Sequence, residues 1–160
     1  AMVFEDDITF ENDAADTLHE VLDWLRATEL DWHCVNIGAK RLKITTPVAT
    51  LGACRLLRAH YFPMLAHALI WHRAGANAYL EAAAHMFCPA DNLMRHVLTR
   101  SDKGYATWPA LVDAGHFDSD ISVRSGGNRS THQRSPFYGL RKQERLWTDK
   151  AIALRHKLLS

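Results

Sequence analysis

The sequence predicts a mainly α-helical single domain, α+β only at the margin: a helical bundle with a small β-hairpin and a long polar loop before its C-terminal helix. Three observations carry this. The chain has 160 residues, 48% hydrophobic and 23% charged, the size and apolar content of one globular domain. Apolar residues recur at helical spacing near both ends. Between them, about fifty residues after Thr46-Pro47 are apolar nearly all round, as a buried helix pair would be.

Taken in order, Val3, Ile8 and Phe10 suit a short strand, and the acids among them confine it to an edge or an extended arm over residues 1–12. A helix follows Asn12 or Asp13 as N-cap and buries Leu18, Val21, Leu22 and Leu25 on one face. Its acidic first turn suits the helix dipole. The β-branched segments Trp32 to Ile37 and Leu42 to Thr45, separated by Gly38, predict the hairpin. Thr46 can then cap a helix with Pro47 in its first turn. Pro63, Gly75, Asn77 and Pro89 divide the remainder into three or four helices, with Leu65, Ala68, Leu69 and Trp71, then Leu80, Ala83, Ala84 and Phe87, as the core. Pro109 to Ala114 reads as a short helix, and Ile121 to Val123 as an extended piece. Arg124 to Pro136 has no apolar side chain, which predicts an exposed, mobile basic loop over residues 124–136. The last helix, from Tyr138 or Leu140 to Leu159, places Leu140, Trp147, Ala151, Leu154 and Leu158 on its buried face. No repeat or linker divides the chain.

Net charge is +1, which hides a strong polarity. Residues 1–30 hold nine acidic side chains against Arg26 alone, a balance of −8. Residues 121–160 hold nine basic side chains against Glu144 and Asp149, a balance of +7. Such ends suit either a basic face for a polyanion or complementary patches within or between subunits.

Several activities find little support. No apolar run reaches the ~18 residues of a membrane span, and the start Met2-Val3-Phe4-Glu5-Asp6-Asp7 is acidic where a secretory signal is basic, so a cytoplasmic protein without a membrane partner is expected. Cys34, Cys54 and Cys88 suit free thiols rather than a disulfide framework. Among the ten histidines, none lies four residues from another, and His85 with Cys88 is the nearest local metal pair, with His67 as a distant third ligand. His67 and His85 read more readily as core histidines, and His72 as a residue near a helix C-terminus. His116-Phe117-Asp118 has the spacing of an iron-binding His and carboxylate but not the strand-rich context. Cys34 beside His33 places the two side chains on opposite faces of a strand. Ser125-Gly126-Gly127-Asn128 lacks the spacing of a nucleotide-binding loop, so no cofactor or metal is expected.

The most specific constellation is therefore C-terminal. Arg124, Arg129 and Arg134 alternate with hydroxyl side chains that donate to phosphate oxygens, Tyr138 adds stacking surface, and Arg141, Lys142 and Arg145 continue the charge onto the helix. These seven residues predict a non-catalytic nucleic-acid contact through the phosphate backbone. Two other readings stand beside it. One is an oligomeric or interaction subunit whose acidic N-terminus meets a basic C-terminus, on a homo-oligomer or an acidic protein surface. The other is a His-dependent ribonuclease centred on His132 with Arg129, Arg134 and Tyr138, or a metal enzyme.

Overall fold

Two small sheets and four helices, rather than a helical bundle, make up the computed structural model, which describes residues 1–114 and 138–160. The elements run β1 (Met2–Phe4), β2 (Ile8–Phe10), α1 (Ala14–Ala27), β3 (Cys34–Asn36), β4 (Thr45–Leu51), β5 (Cys54–Ala59), β6 (Ala68–Trp71), α2 (Arg73–Ala83), α3 (Ala90–Ser101), β7 (Gly104–Trp108), β8 (Val112–Ala114) and α4 (Tyr138–Leu159). Six strands form a mixed sheet in the order β1-β6-β3-β7-β5-β4, and β2 pairs with β8 in a second, two-stranded sheet. Within the large sheet only β3 and β7 run parallel.

The helical reading of the middle of the chain is overturned by β4, β5 and β6. Thr45, Thr46, Val48 and Thr50 are β-branched and fit a pleated surface. Pro47 lies not in a helix but in the edge strand β4, where the register shifts between Pro47 and Ala49, and an edge strand or a bulge is where a sheet accepts proline. The hairpin turn is Gly52-Ala53, between the paired Leu51 and Cys54, and Gly52 supplies the required positive φ of 50°. The hairpin expected around Gly38 is absent: β3 pairs instead with β6 and β7. Ala68–Trp71 lies between β1 and β3 and is covered on both faces, so it reads as a continuous apolar run, which periodicity cannot separate from a buried helix. Gly75 and Asn77 lie inside α2 rather than at breaks, and His72 caps the N-terminus of α2 instead of its C-terminus, accepting from the Ala74 N–H at 3.3 Å. Pro109 to Ala114 is not a helix: a cis Trp108-Pro109 bond opens an irregular turn over residues 109–111, and Val112–Ala114 is strand β8.

Other expectations hold. Val3, Ile8 and Phe10 lie in strands, with β1 at an edge. α1 follows Asp13 and buries Val21 and Leu25, although the Asp13 side chain makes no cap bond. Pro89 opens α3, and the last helix has the expected bounds. Ile121 to Val123, the loop 124–136, His116, Asp118 and His132 lie outside the described residues.

The pleat sends neighbouring side chains to opposite faces of the large sheet. Val35, Ile70 and Tyr105 pack in a core with Val21 and Leu25 of α1, whereas Cys34, Leu69 and Ala106 pack with Met94 and Leu98 of α3. The sheet is thus the middle of three layers. α1 covers one face, α3 covers the other, and α4 lies outside α3.

Candidate polyanion-binding cleft

Where α4 lies on α3, the buried face of α4 is the opposite of the expected one. Asp149 and Ala153 are its buried side chains, while Leu140, Trp147, Leu154 and Leu158 are 69%, 65%, 51% and 85% exposed and Ala151 is exposed as well. The reason is Asp149. Its carboxylate lies 3.2 Å from His96 Nδ1 and 3.5 Å from Arg100 Nη2 of α3, so a buried charge has two cationic or hydrogen-bonding partners. His96 and Arg100 are one helical turn apart on α3 and reach the same carboxylate.

This anchoring opens a cleft of about 490 Å³ between the N-terminal half of α4 and the C-terminal half of α3, walled by Arg141, Lys142 and Arg145 on one side and His96 and Arg100 on the other. Phe87, from the segment between α2 and α3, lines the same cleft. It is 58% exposed, where the sequence pattern placed it in the core beside Leu80, itself exposed. Its ring meets His96 edge-on at 5.3 Å, and the Arg145 guanidinium lies over it at 5.7 Å. Because Asp149 already engages His96 and Arg100, the charges of Arg141, Lys142 and Arg145 face the cleft with Glu144 as the acid among its lining residues.

Three of the seven sequence-predicted residues, Arg141, Lys142 and Arg145, are therefore brought together, and Tyr138 opens the helix that carries them. Arg124, Arg129 and Arg134 lie outside the described residues. Phe87, His96 and Arg100 were missed. The four-residue spacing of His96 and Arg100 was visible in the sequence, but their joint acceptor, Asp149, lies about fifty residues away.

The alternative chemistries find less. Among the described residues, no three of His, Cys, Asp and Glu are grouped to hold a metal ion. His85 is exposed rather than a core histidine, whereas His67 is buried, its Nε2 without a hydrogen-bond partner among the described residues. Burial pushes the Cys34 thiol well up and holds the neighbouring His33 imidazole down, which opposes a thiolate–imidazolium pair. A chain of Asp102, His60 and Thr46 has the order of a nucleophilic relay, with His60 Nδ1 2.7 Å from Asp102 and Nε2 2.9 Å from Thr46 Oγ1. His60, however, is wholly buried, so the chain is a tether from the edge strand β4 to the turn before β7. A further cavity of about 440 Å³ opens beside the ends of β3 and β7, but its charged wall is the Lys40–Asp113 ion pair with Glu11, without excess positive charge. No described helix is long and apolar enough to cross a membrane. Searched against protein families, curated proteins and solved structures, the chain matches none of them.

Proposed function

We propose that the protein binds nucleic acid without catalysis, seating the phosphate backbone along Arg141, Lys142 and Arg145 and an unstacked base on Phe87. The observation that supports this reading is the convergence of Arg141, Lys142 and Arg145, none of them engaged by Asp149, beside one exposed aromatic ring in the α3–α4 cleft. Guanidinium and ammonium groups in a row match the repeat of phosphates, and an aromatic face accepts any base. The second feature favours a single strand, because a base paired within a duplex has no free face to give. Arg124, Arg129 and Arg134 precede α4 in sequence and extend its charge pattern.

Fluorescence anisotropy with a labelled single strand and the matching duplex tests it. Arg141→Ala, Lys142→Ala and Arg145→Ala together lower affinity and reduce the slope of log affinity against log salt by up to about 2 on a single strand. Phe87→Ala weakens the single strand by about 1–3 kcal/mol, the worth of one stacked base, and leaves the duplex nearly unchanged. Absence of binding by the unmodified protein at about 50 mM salt, where phosphate contacts are strongest, rejects the reading.

A further inference from the structure

We infer that the outward stripe of α4 docks in the acidic groove beside α1 of a second copy of this chain. The stripe is Leu140, Trp147, Leu154 and Leu158, spaced seven, seven and four residues apart, so the four lie in one line on the side of α4 away from Asp149 and Ala153. Single exposed leucines are ordinary, but four large apolar side chains in a row along one helix are the signature of an interface. Lys150, Arg155 and Lys157 flank the line, and α4 as a whole carries six basic side chains against Glu144 and Asp149.

The groove has the complementary character. A cavity of about 640 Å³ runs between the N-terminal strands and α1, with Phe4, Phe10, Leu18 and Leu22 as its apolar lining and Glu11, Asp13 and Asp16 as its acidic lining. Phe4 and Phe10 meet edge to face at 5.6 Å and remain 37% and 54% exposed. An apolar floor with an acidic rim fits an apolar helix stripe with a basic rim, which is the helix-in-groove mode of recognition.

Charge decides what the occupant is. A second α4 would set six cations against six, so the stripe does not pair with itself. Geometry excludes the groove of the same molecule, because α1 and the α3–α4 pair lie on opposite faces of the sheet. Each copy therefore offers one helix and one groove: the contact closes as a reciprocal two-fold pair or, where it runs head to tail, forms a ring or an open chain. It uses the outer side of α4 and is independent of the nucleic-acid cleft.

Two double variants test it by sedimentation at about 50 mM salt, where the Debye length exceeds about 10 Å. Trp147→Glu with Leu154→Glu spoils the stripe, and Phe10→Lys with Asp16→Lys spoils the groove. All four side chains are exposed, so circular dichroism and the thermal transition stay as in the parent. The unmodified protein assembles, each variant alone is monomeric, and an equimolar mixture forms a dimer, since one variant keeps the stripe and the other the groove. A monomeric parent, a stripe variant that still assembles, or a mixture that stays monomeric overturns the proposal. So does a monomeric parent whose Trp147 fluorescence shifts blue on anionic phospholipid vesicles, which assigns the stripe to a lipid surface.

Discussion

Gly75 shows how a tertiary contact can reverse a local preference. It is the third residue of α2, where alanine normally improves an exposed helix by about 1 kcal/mol. Here the helix starts so close to the sheet that a Cβ at this position would stand 2.3 Å from the His33 carbonyl oxygen. That neighbour is backbone leading into β3, and the His33 carbonyl also accepts from the His72 N–H at 2.9 Å, so it has nowhere to move. Gly75→Ala is therefore destabilising, by about 1–3 kcal/mol, the usual range for overpacking. Denaturant unfolding of the two proteins measures it, and a variant as stable as the parent or more so would show that the β3–α2 junction relaxes. The same close approach explains why reading Gly75 as a helix end fails: the glycine is needed for packing, not for its freedom to leave the helix.

At the level of elements, legibility followed local chemistry. α1, α3 and α4 were readable because each has a one-sided apolar pattern or a proline at its start, and both signals act within a few residues. β5 and β6 were not, because Leu56-Leu57 and Leu69-Ile70 are covered on both faces of a central sheet and lose the alternation by which strands are recognised. For the candidate site, Arg141, Lys142 and Arg145 were legible as a run of charge, whereas Phe87, His96 and Arg100 depend on a helix–helix contact that no local pattern encodes. α4 carries two usable faces. The stronger apolar one, through Trp147 and Leu154, was the natural choice for burial, but the face with Leu146, Asp149, Ile152 and Ala153 is the one seated on α3. Asp149 makes that choice workable, and removing it is informative. Asp149→Ala leaves partly buried His96 and exposed Arg100 without their acceptor, so a loss of about 1–3 kcal/mol in unfolding free energy is expected. An unchanged unfolding midpoint would mean that the carboxylate does not hold α4 in place.

Over the whole molecule, the near-zero net charge conceals two fields that do not cancel. The acidic N-terminal region and α1 cover one face of the sheet, and the basic cleft of α3 and α4 lies beyond the other. A sheet with helical layers on both sides separates such faces by roughly 20–30 Å, well beyond the ~10 Å screening length of about 0.1 M salt. Each face therefore meets a charged partner as if the other were absent. The −8 and +7 balances of the two chain ends were readable without the fold, since charges add up along a sequence; that the described acids of α1 and the described bases of α4 stand apart instead of neutralising each other is a property of the three layers. The consequence is that a protein of formal charge +1 binds both cation-exchange and anion-exchange resins at neutral pH and low salt. Arg141→Ala with Lys142→Ala advances elution from the cation exchanger and leaves the anion exchanger nearly unaffected, while Asp16→Lys does the reverse. Flow-through on either resin, or elution from both shifted equally by one substitution, would mean that the two fields merge into one.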